Sequence, residues 1–163
     1  MEIRPATADD AEGIGAVAEA SWEADYPEAV SRESAAEAAG EWYGPDRMRR
    51  AAEDPGTVLL VAAEDEVVGF VHAAVSTERM AGSILRLYVH PDHRRRGIGS
   101  DLLAATVEAL RDLEVERIEA MVLAANDQGN EFYREAGFRR DDVGETKIAG
   151  EYYEENVYVY EGE

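Results

Sequence analysis

The chain has 163 residues, of which 45% are hydrophobic, which suits one folded domain with a full-sized core rather than a disordered segment. It contains no cysteine, which excludes a disulfide framework, a thiol nucleophile and a Cys-based metal site. Acidic residues number 36 against 16 basic ones, for a net charge of −20, with Lys147 the one lysine, so nucleic-acid binding through a basic face is not expected.

Glu2 to Ala6 reads as a first strand, and Thr7 with Asp10 forms a capping-box pattern ahead of a helix from Asp9 to about Trp22. Ala11, Ile14, Val17 and Ala18 fall on the inner face of that helix. Trp22, Tyr26 and Pro27 break the pattern. A second, acidic helix is expected over 31–43, closed by Gly44-Pro45, and a third short one over 46–53.

Thr57 to Ala63 and Val67 to Val75 are the clearest strand pair, joined by Glu64-Asp65-Glu66, with Gly69 marking a bulge. His72 lies inside the second strand. It reads either as a packed residue or as a neutral imidazole able to accept a proton near pH 7. A polar loop over 77–82 leads into an apolar strand from Ile84 to Val89, interrupted by Arg86 and stopped by Pro91. From Ile98 the period changes to helical, with Ile98, Leu102, Leu103, Val107, Leu110 and Leu113 on one face. Between strand and helix stand Arg94, Arg95 and Arg96 with Gly97 and Gly99. Cations are unfavourable at a helix N-terminus, so an Arg triplet there reads either as a solvated basic turn or as the seat of an anion such as phosphate over the first helical amides. Glycines at that point let a ligand lie against the backbone.

Arg117 to Leu123 is a further strand on which Glu119, Met121 and Leu123 share a face. Asn126 then caps a short helix carrying Phe132 and Tyr133, ended by Gly137. Phe138 to Lys147 and Tyr152 to Tyr160 read as a closing hairpin. No internal repeat, linker or second domain is visible, so residues 1–163 read as one domain. No run reaches the length of a membrane span, and Met1-Glu2-Ile3-Arg4 does not open a signal peptide, which points to the cytoplasm and to no membrane partner. The acid excess fits either a salt-rich cytoplasm or a face that attracts a cationic amine.

Arg94-x-x-Gly97-x-Gly99, following Leu-Tyr-Val-His-Pro, resembles the acetyl-CoA pyrophosphate loop of the GNAT superfamily of N-acetyltransferases. Asn126, the short helix with Tyr133 and then Gly137-Phe138 resemble the second signature of the same family, in the right order. The glycine spacing fits neither a Walker A loop nor a dinucleotide fingerprint. The resemblance implies an α/β fold: a mixed, mostly antiparallel sheet of about six or seven strands with about four helices, two of the strands splayed to admit the cofactor.

It further implies that acetyl-CoA is the co-substrate. Its arm would pair with Leu87, Tyr88 and Val89, its pyrophosphate would sit on Arg94, Arg95, Arg96, Gly97, Ile98, Gly99 and Ser100, and Asn126 would contact the arm. Tyr133 would be the general acid for the leaving thiolate. Trp22, Tyr26, Trp42 and Tyr43 either line the acceptor pocket or belong to the core. In the branch that acetylates ribosomal-protein N-termini a glutamate occupies the position of Met121, which cannot take a proton. The candidates left for the base are Glu119, about 7 Å along the same strand face, and His72.

The implied function is direct acetyl transfer to a primary amine of a small molecule or peptide. The alternatives are an acetyl-CoA-binding sensor or non-catalytic subunit, and a transferase of longer acyl groups. No metal is required. Homodimers are common in the family.

Overall fold

The computed structural model describes residues 2–25, 45–54, 56–94, 96–148 and 151–160. The second expected helix, with Tyr26, Trp42 and Tyr43, lies outside the described residues, as does Arg95. A seven-stranded sheet in the order β1-β2-β3-β4-β5-β7-β6 forms the centre. Its strands are β1 Glu2–Pro5, β2 Thr57–Ala63, β3 Val67–Ser76, β4 Ala81–Val89, β5 Arg117–Leu123, β6 Phe138–Ile148 and β7 Glu151–Tyr160. All neighbours are antiparallel except β4 and β5, which run parallel. Parallel pairing needs a crossover, and the helix between them supplies it.

Four α-helices are present among the described residues. α1 (Ala11–Asp25) and α2 (Pro45–Glu53) cover one face of the sheet; α3 (Ile98–Asp112) and α4 (Asp127–Glu135) cover the other. On the first face Ile14, Val17, Ala18 and Met48 pack against Leu59, Val61, Phe70 and Tyr88. On the second, Ile98, Leu102, Leu103, Val107 and Leu110 of α3 pack on Val71, Ala73 and Ile84. Leu113 does not join them: it is the residue that ends α3, and it is exposed.

Local chemistry sets the ends of several elements. The Thr7–Asp10 capping box is present, with the Thr7 amide donating to Asp10 at 2.8 Å, ahead of a 3₁₀ turn over Ala8–Asp10 that runs into α1. Pro91 opens a second 3₁₀ turn, Pro91–His93, and so ends β4. Gly137, at φ +96°, takes the left-handed position just past α4. The bulge expected at Gly69 falls one residue earlier: Val67 pairs with Ala63 and Gly69 with Ala62, which leaves Val68 as the extra residue.

One boundary differs more. β4 begins at Ala81, inside the expected loop, because Ala81 and Gly82 pair with Ser76 and Val75 on one side and with Arg117 and Ile118 on the other. A Cβ at Gly82 would stand 2.7 Å from the Leu110 side chain, so α3 lies directly on the backbone there.

Candidate active site

β4 and β5 pair from Ala81 to Ile84 against Arg117 to Ala120, and then separate. Leu85 to Val89 and Met121 to Leu123 become opposite walls of a cavity of about 480 Å³. Where a ladder stops, strand N–H and C=O groups face the gap and seek other partners. Leu87, Tyr88 and Val89 line this gap, as does Asn126 beyond the end of β5. This is the splayed pair expected from the sequence.

The cavity opens at the junction from β4 to α3, where Arg94, Gly97, Ile98, Gly99 and Ser100 all line it. Gly97 is the N-cap of α3 at φ +80°, and no side chain caps the helix. The first amides therefore remain as donors, at the end of the helix that carries partial positive charge. Arg94 donates from Nε to the Val89 carbonyl at 3.1 Å, which fixes its side chain along the cavity wall. Arg96 turns the other way. Its guanidinium lies 2.8 Å from Glu64 and 2.9 Å from His93 Nδ1, at the edge of the loop and outside the cavity lining. Glu64 is held below the ordinary carboxylate range, chiefly by its hydrogen bond with Arg96.

Asn126 caps α4 by accepting from the Gly129 amide at 3.0 Å. Gly129 has no room for a side chain, since a Cβ would come within 2.5 Å of Asn126 Nδ2. Tyr133, on the same helix, is buried in the cavity wall and stacks on Tyr158, with Phe132 and Phe138 edge-on to it. Burial pushes its phenol well above the usual tyrosine value, so it stays protonated. Among the described residues nothing hydrogen-bonds its hydroxyl.

The two residues expected to supply a base stand elsewhere. Glu119 shares the strand face of Met121, but it is 2% exposed and clamped between Arg79 at 2.5 Å and Arg117 at 2.6 Å, away from the cavity lining. Its carboxylate is spent on tying β5 to the β3–β4 turn. His72 pairs with Arg86 across β3 and β4 and does not line the cavity either. Burial, then Arg86 and Arg47, lower its pKa, so the imidazole is neutral. The backbone of Trp22 falls in α1.

Sequence reasoning passed over three residues that build the site. Arg86 lines the cavity from β4, and its Nη1 donates to the Leu85 carbonyl. Glu155 lines it from β7. Asn130, 4% exposed, ties the walls together. Its amide donates to the Leu123 and Asn126 carbonyls at 3.0 and 2.7 Å, and its Oδ1 accepts from Asn156 and Tyr158 at 2.8 and 2.7 Å. A burial signal exists for Asn130 only in retrospect: it sits three residues before Tyr133, on the inner face of α4.

A family model described as "Acetyltransferase (GNAT) family" matches residues 17–138. A mycothiol acetyltransferase of Propionibacterium freudenreichii is 34% identical over 110 residues, covering 65% of this chain and 32% of that protein. The chain thus spans about a third of the length of that relative. A spermidine N(1)-acetyltransferase of Thermoplasma acidophilum is 26% identical over 148 residues, covering 88% of this chain and 91% of the relative. The crystal structure of PaiA N-acetyltransferase from Thermoplasma acidophilum in complex with coenzyme A superposes with a TM-score of 0.81 at 24% identity, covering 94% of this chain and 96% of that one.

Proposed function

The chain belongs to the acetyltransferase (GNAT) family, and from that premise we propose that it carries an acetyl group from acetyl-CoA directly to a primary amine of a small molecule or peptide. The observation that carries the reading is the meeting of three features in one cavity: a β4–β5 ladder that opens after Ile84, an uncapped helix N-terminus at Gly97, and the buried Tyr133 hydroxyl. Each answers a need of acyl transfer from a thioester.

The α3 amides and Arg94 would hold the cofactor pyrophosphate, with Ile98, Gly99 and Ser100 supplying the first turn. The open edge of β4, from Leu87 to Val89, would pair with the amide-bearing arm and give an N–H to the thioester oxygen as it gains charge. Asn126 stands beside the same path. Tyr133 would give its proton to the leaving sulfur. Since there is no cysteine, no cysteinyl acyl-enzyme forms, and the amine attacks the thioester itself. The relatives named for mycothiol and for spermidine acetylation support an amine on a small molecule. The cytoplasm is the proposed compartment; no helix among the described residues is long and apolar enough to cross a membrane.

Calorimetric titration with acetyl-CoA and with 3′,5′-ADP-free pantetheine analogues, in 1 M KCl, tests the binding half. The expected result is micromolar binding that weakens at least tenfold when the phosphates are removed. Thiol release in the presence of an amine panel tests the chemical half. Binding without release for any amine would support the sensor alternative, and no binding by folded protein would overturn both.

A further inference from the structure

Resting on that acetyltransferase reading, we propose that Glu155, which lines the cavity from β7, is the general base for the acceptor amine. Along β7, Asn156 and Tyr158 hydrogen-bond to Asn130 of α4, so they point to the α3–α4 face. Side chains alternate on a strand, so Glu155 points to the opposite face. Tyr153, two residues before it, packs with the α1–α2 core in agreement.

Glu155 pairs across the sheet with Leu123, the last residue of β5, where the wall between β7 and the β4 gap ends. It therefore lines the cavity at the point where β4 and β5 have separated. Tyr133 lines the same cavity but is packed in the α3–α4 core. A thioester lying in the gap thus has a phenol on one face of the sheet and a carboxylate on the other. Direct transfer uses both, a base for the attacking nitrogen and an acid for the departing sulfur.

Glu155 takes one proton from the ammonium, and the amine nitrogen forms a C–N bond to the thioester carbon. The C–S bond breaks, and the sulfur takes the proton of Tyr133. The second nitrogen proton restores the phenol through water, and Glu155 releases its proton to solvent. The products are the amide, the free thiol and one proton.

Burial raises the Glu155 carboxyl above the ordinary glutamate value, while the Arg86 charge pulls it back. A carboxylate of raised pKa is a better base near neutral pH. The titratable groups that share the cavity with it are Arg86 and Tyr88 on β4, Tyr133, Glu131 and Glu135 on α4, and His93 and Arg94 at the loop. Among the described residues, the β5 and β6 linings contribute Met121, Val122, Leu123 and Thr146, none of which titrates as a base. Of the two cavity carboxylates besides Glu155, both lie on the exposed side of α4.

The test compares wild type with Glu155→Gln, Glu155→Asp and the exposed neighbour Glu154→Gln. The probes are spermidine, glucosamine, glycinamide and an alanyl peptide, with thiol release followed from pH 6 to 10 and acetyl-CoA affinity measured by calorimetry. Expected for Glu155→Gln is a fall in kcat of about 100-fold at pH 7 with acetyl-CoA affinity within twofold of wild type. The deficit should close as the pH passes the pKa of the amine, because solvent then supplies the free base. Glu155→Asp should recover part of the rate, and Glu154→Gln should match wild type. A Gln variant as fast as wild type overturns the proposal, and so does one that loses acetyl-CoA affinity in parallel with rate. If wild type releases no thiol with any probe, it is the transferase reading that has failed, and this inference falls with it.

Discussion

The roles proposed for Tyr133 and Gly97 differ, and substitution separates them. Removing one buried hydroxyl by Tyr133→Phe leaves the ring stack with Tyr158 and the edge contacts with Phe132 and Phe138 in place. We expect kcat to fall by about 100-fold while acetyl-CoA affinity and melting temperature stay near wild type; unchanged turnover in steady-state assays would make Tyr133 a packing residue only. Gly97→Val acts on binding instead. Nothing lies within 4 Å of a Cβ at this position, so the side chain meets no protein wall. It projects from a residue that lines the cavity, on a backbone at φ +80° that costs a non-glycine residue about 1–2 kcal/mol. Acetyl-CoA affinity should drop at least tenfold by calorimetry, and an unchanged value would mean that the anion sits elsewhere.

At the scale of elements, two polar knots hold the secondary structure in register. One is at the start of α1, where Asp10 accepts from Arg4 at 2.7 and 3.0 Å and from the Thr7 amide at 2.8 Å. The Arg4 hydrogen bonds, with the Thr7 amide, hold the Asp10 carboxyl below its usual range against the opposing effect of burial. A depressed carboxyl adds stability that is full above its unfolded value of about 3.9 and is lost as pH falls through the lower folded value. Asp10→Asn should therefore melt lower than wild type from about pH 5 upward, with the gap closing below about pH 3; a gap independent of pH in thermal melts would refute the assignment. The other knot is Asn130, which joins α4 to β5 and β7. Asn130→Ala strands the Asn156 amide and the Tyr158 hydroxyl in the core and should cost about 3 kcal/mol in denaturant titration. The two knots also show what a sequence reveals. The Thr7–Asp10 box, the Asn126 cap and the α3 stripe are local patterns, readable because their partners lie within four residues. Asn130 and Glu155 depend on β7 entering the sheet between β5 and β6, a matter of topology that no window contains. Within the run from Glu151 to Tyr160, nothing local distinguishes Glu155 from Glu154. Glu119 misled in part for the same reason: of the two arginines that clamp it, Arg117 is two residues away but Arg79 is 40.

Across the whole molecule the dominant quantity is the charge of −20 on 163 residues. That figure already counts every arginine, so ion pairing does not reduce it, and exposed acids such as Glu108, Asp112, Glu114 and Glu116 stand along α3 and the turn after it. Self-repulsion of this size opposes compaction and is long-ranged at low salt, where the Debye length is about 10 Å at 0.1 M, but is largely screened at 1 M, where it is about 3 Å. The buried pairs at Asp10 and Glu119 lie within direct hydrogen-bond distance and are much less affected, so added salt removes more repulsion than attraction. We therefore expect the melting temperature to rise between 0.1 and 1 M KCl. If screening recovers about 2 kcal/mol, the rise is about 4–8 °C for a chain of this size. A second comparison identifies the cause. Screening depends on ionic strength and levels off near 1 M, whereas strengthened apolar burial continues to grow and favours sulfate over chloride. Equal rises in KCl and in potassium sulfate at matched ionic strength, with a plateau, would assign the effect to surface charge and support a salt-rich working environment. No rise at all would mean that the acidic surface answers to something else, and the attraction of a cationic amine toward the Glu155 face would then be the better account of it.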